Sequence, residues 1–190
     1  MAHRNRMRLR IALLAGLGLS AVLAHAVPLP PDLSPLSDFG NSDIQRETAL
    51  ISQYGDKNDA SIDQKVDVAG DTGHYAEITQ TGAGNQVKIS QQGDQNRIRV
   101  NQDGSGNTAL ITQNGLRNSV DLTQVGQGNY FESTQIGNDN VIVRSQTGGV
   151  SETVEQIGNN LVSLVNPSAA SNGLSIKIKV EGNGLTVKQN

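Results

Sequence analysis

The sequence predicts an all-β protein folded as a β-solenoid, a two-sheet coil in which strand, turn, strand and turn repeat along one axis. The first observation is a scarcity of large side chains, because only 3% of the residues are aromatic and 35% are hydrophobic. A compact core is hard to build from such a composition. The second is an abundance of glycine, with 21 residues. The third is a strict internal period, which is the signature of a stacked repeat.

Residues 1–26 are predicted to be a secretory signal peptide. Four arginines lie within residues 1–10, a short apolar run covers residues 11–24, and Ala24-His25-Ala26 fits a small-x-small cleavage site. The apolar run is too short for a membrane span, since a spanning helix needs roughly 20 apolar residues. The sequence therefore indicates a secreted chain that begins at Val27.

The composition of the remaining chain excludes several kinds of site. The predicted signal segment holds four of the 15 basic residues and no acid, so residues 27–190 would carry 11 basic and 18 acidic residues. Net acidity argues against a nucleic-acid partner, because phosphate binding needs a clustered basic face. The chain has no cysteine, and His74 is the one histidine after residue 26. These counts exclude a disulfide frame, a cysteine-based zinc site and a cysteine nucleophile.

Residues 27–46 are predicted to form an extended, proline-rich leader. Pro28, Pro30, Pro31 and Pro35 crowd its first nine residues, and the next proline is Pro167. Because proline fixes φ and has no N–H to donate, this segment does not fit a central strand. The long stretch without proline that follows it is free to form strand ladders.

A strict repeat fills that stretch. The motif Gln-x-Gly-x-x-Asn occurs seven times, and from Gln80 to Gln146 a glutamine recurs at one constant interval. We therefore predict a regular repeat solenoid over residues 47–156 and degenerate repeats over residues 157–190. The predicted ladder and turn residues are Gln53, Asn58, Gln80, Asn85, Gln91, Asn96, Gln102, Asn107, Gln113, Asn118, Gln124, Asn129, Gln135 and Asn140.

Each 11-residue period reads as one strand and one turn. In residues 85–91, Val87 and Ile89 lie on one face of an extended chain, and Lys88 and Ser90 lie on the other. This alternation is typical of a strand with one buried face. Two periods would form one 22-residue rung, with glycine at positive φ in the corners. The predicted inward core is Ile51, Ile62, Ile78, Val87, Ile89, Ile98, Val100, Ile111, Val120 and Leu122.

Stacking of such rungs places identical residues above one another, about 4.7–4.9 Å apart. Glutamine and asparagine at the strand ends are then predicted to point inward, where each amide donates to its neighbour and forms a ladder along the axis. The alternative is that these amides are solvent-facing turn residues. Simple solvation would also allow serine, aspartate or lysine, and it does not explain why glutamine keeps one fixed phase.

Departures from the period predict irregular places. Residues 65–72 are predicted to form a longer loop, because the interval from Gln64 to Gln80 exceeds one period by five. Ser133 and Arg144 occupy inward positions. In the degenerate part, residues 160–166 are predicted to keep the inward phase through Val162 and Leu164, and residues 183–189 to restore one strand with Leu185, Val187 and Gln189 facing inward.

The repeated Ala-x-Ile-x-Gln-x-Gly-x-x-Asn, as in residues 109–118, resembles the bacterial curlin family. The resemblance covers residues 47–156, with a weaker echo to residue 190. It implies a subunit of extracellular functional amyloid from a Gram-negative bacterium. Curlins are secreted unfolded through an outer-membrane pore with accessory proteins and polymerise into cross-β curli fibres, which support adhesion and the biofilm matrix.

The family has a major subunit and a minor, surface-associated nucleator. The irregular end with Lys177, Lys179 and Lys188 resembles the minor subunit, whose last repeat is atypical and basic. Drift of terminal repeats occurs in any solenoid, so the major subunit remains the alternative. The other curlin subunit and further copies of this chain are the partners that the resemblance implies.

An enzyme is not predicted, and neither are catalytic, cofactor or metal sites. Asp63, Glu77, Asp121 and Glu132 lie singly on outward positions, whereas catalysis needs converging groups, and His74 reads as a loop histidine. A second class of function is a monomeric solenoid that binds ice, glycan or a host surface through one flat face. The outward threonines that favour it are Thr79, Thr112, Thr123 and Thr134.

Overall fold

The structure, a computed structural model, describes residues 6–12, 19–25, 48–66, 73–165 and 173–189, and these form strands and turns without a helix. The described residues therefore contain no helix that could span a membrane. The strands are β1 (Arg6–Ala12), β2 (Leu19–His25), β3 (Thr48–Tyr54), β4 (Asp59–Val66), β5 (Tyr75–Ala83), β6 (Gln86–Asp94), β7 (Arg97–Ser105), β8 (Thr108–Leu116), β9 (Ser119–Gln127), β10 (Tyr130–Ile136), β11 (Val141–Thr147), β12 (Ser151–Asn159), β13 (Val162–Val165), β14 (Ser175–Asn183) and β15 (Thr186–Gln189).

From β3 onward, consecutive strands alternate between two sheets. The first sheet has the order β1-β4-β6-β8-β10-β12-β14, and the second has the order β15-β13-β11-β9-β7-β5-β3-β2. All pairs among β3 to β15 are parallel, whereas β1 and β2 pair antiparallel with β4 and β3. In the regular part the same position of the next rung is the pairing partner, as Gln113 is for Gln91. The predicted β-solenoid with a 22-residue rung is confirmed.

The core is the thin layer between the two sheets. The ten predicted inward residues are all buried there, and none is more than 3% exposed. Alanines such as Ala60, Ala76 and Ala109 complete the layer, while residues such as Lys88 and Arg99 face outward. Fully burying one isoleucine contributes about 1.5–3 kcal/mol, and ordering each residue costs about 1–2 kcal/mol in backbone entropy. A single rung therefore depends on its neighbours for stability.

Two columns of stacked glycines form the corners where the Gln-x-Gly-x-x-Asn motif turns. Gly104 has φ of +128°, and a Cβ placed there would overlap the carbonyl oxygen of Gly126 in the next rung. On the other corner, a Cβ at Gly115 would overlap the carbonyl oxygen of Gly137. Glycine is required at these positions by the backbone conformation and by the close approach of the next rung.

The predicted phase of residues 160–166 is wrong by one residue. Val162 pairs with Val141, so Leu161 stands in the asparagine column, above Asn140, and Ser163 and Val165 face the core. The prediction counted from Asn160, but the chain turns at Gly158, whose φ of +139° places the corner. Leucine in the asparagine column hides the phase from a motif search.

The last strand also differs from its prediction. Thr186 pairs with Val162, so Leu185 takes the asparagine column and is 47% exposed. Val187 and Gln189 align with Ser163 and Val165, two positions earlier in the rung than predicted. Gly182 near the end of β14 aligns with Gly158, and the corner that continues through Gly184 sets the position of the strand.

Several predicted segments lie wholly or partly outside the described residues. The leader over residues 27–46 does so completely. Of the predicted loop over residues 65–72, the first two residues belong to β4, and the rest are not described. Strands β1 and β2 fall within the predicted signal segment, whose removal stays a prediction.

The glycine columns yield a direct test. We expect Gly104→Ala to abolish the stacked structure, because its methyl group would meet backbone that cannot move aside. Gly106 in the same turn has φ of +64° and open space around its Cβ position, so Gly106→Ala should cost only about 1–2 kcal/mol of left-handed strain. Far-UV circular dichroism during denaturant titration measures both. Equal losses in the two variants would contradict the stacking argument.

Candidate functional site

Two ladders of buried glutamines run along the axis, one from each sheet. In the second sheet Gln80 Nε2 donates to Gln102 Oε1 at 2.8 Å, and in the first sheet Gln91 Nε2 donates to Gln113 Oε1 at 2.9 Å. Every glutamine in the ladders is at most 2% exposed. The ladders are Gln53, Gln80, Gln102, Gln124 and Gln146 in the second sheet, and Gln64, Gln91, Gln113, Gln135 and Gln156 in the first.

Each glutamine in the interior of the ladders also donates its second amide hydrogen to a backbone carbonyl of the opposite sheet. Gln113 Nε2 donates to Arg97 O at 3.3 Å, and Gln102 Nε2 donates to Gln86 O at 3.2 Å. Each amide therefore joins its rung to the next and also joins the two sheets. Because an unpaired buried amide costs about 1–3 kcal/mol, the complete pairing of these interior amides selects glutamine over other side chains.

Gln64, Gln146 and Gln156 belong to the ladders but were not among the predicted site residues. Gln64 lies one strand period after Gln53, so the period alone could have found it. Gln64 lies outside the Gln-x-Gly-x-x-Asn motif, because Val66 stands where the motif has glycine.

The asparagines bind mainly the backbone of the corner. Asn107 Nδ2 donates to Gly126 O at 3.0 Å, and the Asn107 backbone N–H donates to Asn85 Oδ1 at 3.1 Å. A direct amide contact, Asn107 Nδ2 to Asn85 Oδ1 at 3.1 Å, adds to these bonds. The predicted asparagines are all buried and inward, but their principal role is to hold the glycine corners in register.

His74 takes the place of an asparagine in one corner. It is 1% exposed, and its Nδ1 accepts the backbone N–H of Asn96 at 3.3 Å. Its Nε2 lies 3.0 Å from Lys65 O, so the neutral tautomer with hydrogen on Nε2 satisfies both contacts. The predicted turn position agrees with the structure, in which His74 lies outside the strands, and its ring is buried within the corner.

One ionic cluster interrupts the apolar core. Arg144 Nε donates to Glu152 Oε1 at 2.6 Å, and Arg144 Nη2 donates to Ser163 Oγ at 2.7 Å. Both charged side chains are fully buried. Burial raises the pKa of the Glu152 carboxyl, an effect that Arg144 and Gln146 partly offset, and burial lowers the pKa of the Arg144 guanidinium. The sequence analysis placed Arg144 inward and did not name Glu152, although Glu152 lies four residues before Gln156, as the inward Ala109 lies four residues before Gln113.

The outer faces are polar and carry exposed ion pairs such as Arg99 with Glu77, whose Nε and Oε2 lie 3.0 Å apart. Within the described ranges, no three His, Cys, Asp or Glu residues come together as a metal site would require. The four outward threonines divide between the sheets: Thr112 and Thr134 pair on the first, while Thr79 and Thr123 flank Asn101 on the second. They do not share one flat face.

Comparison with known families supports the same assignment of the repeat. Residues 82–115 and 93–126 match the family model described as the curlin associated repeat. The two matched segments are offset from each other by one strand period, and they lie in the most regular part of the solenoid. No curated protein and no solved structure matches the chain. The repeat match supports the curlin family for this chain.

Removal of one ladder amide should destabilise the solenoid. Gln113→Ala leaves Gln91 Nε2 without its ladder acceptor and Gln135 Oε1 without its donor, and it deprives Arg97 O of a donor, so we expect a loss of at least about 2 kcal/mol. The matched control is Thr112→Ala on the outer face, which should change the unfolding free energy by less than about 0.5 kcal/mol. Denaturant midpoints give both values. Similar losses in the two variants would argue against inward ladders.

The buried ion pair yields a further prediction, in which single variants lose stability and the double variant regains it. Arg144→Leu or Glu152→Leu alone should cost about 3–5 kcal/mol, because each leaves a buried charge without its partner. The double variant should recover most of this loss, since two apolar side chains replace the pair. A double-mutant cycle from denaturant midpoints measures the coupling, and an additive result would contradict a paired cluster.

Proposed function

We propose that this chain is a secreted structural subunit of curli-type extracellular fibres and has no catalytic role. The curlin repeat and the parallel β-solenoid support a structural subunit of this type. The observation that carries the proposal is the pair of glutamine ladders. Their hydrogen-bond pattern repeats by simple translation along the axis, so a rung from another chain continues it as well as a rung of the same chain.

Growth then proceeds by strand addition at the ends of the solenoid. An end strand offers unpaired N–H and C=O groups together with the end of an amide ladder. An incoming disordered chain docks a matching repeat there and orders it. The backbone entropy of ordering is offset only when the new rung stacks, which makes assembly depend on a template.

The same dependence fits secretion in an unfolded state. A free rung of small inward side chains such as Ala109 and Ile111 buries too little to hold itself together. The chain also has no cysteine and so needs no disulfide to become stable outside the cell. By family resemblance, its partners are the secretion pore, accessory proteins and the other curlin subunit, and its place is the fibre at the surface of a Gram-negative bacterium, where it supports adhesion and the biofilm matrix.

Within that family we favour the surface-associated nucleator over the major subunit. The amide columns end before the last rungs, since Val180 aligns with Gln156 and Leu161 with Asn140. The outer face of β14 carries Lys177 and Lys179. A degenerate, basic end is what we expect of a subunit that binds the cell surface through one end and the fibre through the other.

Assembly is the test of this function. The full-length chain, recovered from outside a secreting Gram-negative host, should form fibres whose thioflavin-T signal depends on concentration and whose diffraction shows a meridional reflection at about 4.7–4.8 Å. Ile111→Asp should block growth, because it buries an unpaired charge between the sheets. Thr112→Asp, one position away on the outer face, is the matched control and should still assemble. A chain that stays monomeric at every concentration would refute the proposal.

A further inference from the structure

The two glutamine ladders have a direction, and their two ends differ. Each glutamine donates from Nε2 to the Oε1 of the glutamine one rung later. The first members of the ladders, Gln53 and Gln64, therefore keep an Oε1 that accepts nothing from an earlier rung. Both oxygens are buried, and neither has a hydrogen-bond partner among the described residues.

The other ends of the ladders are closed within the chain. Gln156 Nε2 donates to Val141 O at 3.2 Å and to Leu161 O at 3.3 Å. Gln146 Nε2 donates to Tyr130 O at 3.2 Å and to Glu152 Oε2 at 3.4 Å. The last donors are thus satisfied, while the first acceptors are not.

The strands that lie against the first rung do not continue the repeat. β1 and β2 pair antiparallel with β4 and β3, and the residues aligned with Gln64 and Gln53 are Met7 and Leu19. Neither residue type has an amide. A buried carbonyl without a donor costs about 1–3 kcal/mol, so the edge formed by β3 and β4 has an unmet requirement for two donors.

We propose that the edge of β3 and β4 is the recruiting end of this chain, and that its partner is a parallel rung with glutamine at both inward ladder positions. This inference rests on the proposed fibre function, in which residues 1–26 are removed from the edge. The incoming amides donate to Gln53 Oε1 and Gln64 Oε1 while their strands continue the two sheets.

The chemistry of this edge fits a different subunit better than a second copy docked by its last strands. In β14 the ladder position is Val180, which aligns with Gln156 and has no amide to donate. In β15 Gln189 aligns with Val165, in the column of Arg144, and so lies outside the glutamine column. The described end of a second copy therefore offers no donor at either ladder position.

Site-directed cross-linking tests the recruiting end, because the chain has no cysteine of its own. The probe is a synthetic peptide of residues 97–118 that carries Gln102, Gln113 and a Leu110→Cys change. Leu110 lies in the same outward column as Ser61 on β4 and Lys177 on β14, through Lys88 on one side and Glu132 and Thr153 on the other. Adjacent strands place such pairs within disulfide range.

We expect the peptide to form a disulfide with full-length, secreted Ser61→Cys protein about tenfold more than with Lys177→Cys protein, a ratio equivalent to about 1.4 kcal/mol. A peptide that also carries Gln102→Leu and Gln113→Leu should lose this preference. A second pair, Asp63→Cys with a peptide carrying Thr112→Cys, repeats the measurement at the next outward column. Circular dichroism checks that each protein variant is folded.

The outcomes separate this inference from the fibre function. Equal cross-linking at both ends, preference for Lys177→Cys, absence of cross-linking, or no effect of the glutamine changes would overturn the recruiting edge. Unmodified protein that forms fibres despite such a result would leave the fibre function intact. Conversely, selective cross-linking by a chain that never forms fibres would keep the edge and remove the fibre function. Cross-linking between two copies through Ser61→Cys and Lys177→Cys would refute the preference for a different subunit.

Discussion

A glutamine placed between two sheets costs about 1–3 kcal/mol for each amide group left unpaired, and the rest of this fold depends on that constraint. The amide of Gln113 accepts from Gln91, donates to Gln135, and donates to the backbone carbonyl of Arg97 across the core. A glutamine at the same position of the adjacent rung is the simplest partner, because its amide supplies both a donor and an acceptor. The 22-residue rung, the parallel pairing and the glycine corners all follow, because any slip of register breaks every amide contact at once.

The ionic cluster of Arg144, Glu152 and Ser163 follows a different rule. Its bonds join unlike groups, and among the described residues they occur once. The ladder of the second sheet ends against it, since Gln146 donates to Glu152 instead of to another glutamine. A self-repeating contact continues indefinitely along the axis, whereas a heterogeneous contact marks one place in the stack. The cluster therefore distinguishes one rung from the others and fixes the register of the stack at that point.

The sequence predicted the fold class, the rung length and the ten inward residues, because each depends on periods that can be counted. It also placed Arg144 and Ser133 on the inside, since the period continues through them. It misplaced Leu161 because the prediction counted from Asn160, whereas Gln156 and Gly158 keep the motif spacing that assigns residue 161 to the asparagine column. Counting back from Gln156 assigns Glu152 to an inward column, but the contact with Arg144 that stabilises a buried acid there is visible only in the structure. The spacing pattern also could not show which ladder end has unpaired acceptors, because it does not give the direction in which each amide donates.

The alternation of inward and outward residues separates two roles. Inward residues stabilise the stack, and outward residues form the surface that faces solvent. The outward column that runs through Lys88, Leu110, Glu132 and Thr153 changes its chemistry at every rung. The inward columns beside it are mainly aliphatic and depart from this only at Phe131, Ser133 and Glu152 among the described residues of these rungs. Side chains on the outer faces are thus arranged as a regular array with an interval of about 4.7–4.9 Å. Each outward residue can be substituted without changing the inward contacts that stabilise the stack. The chain is therefore a scaffold whose surface pattern and stability depend on different residues.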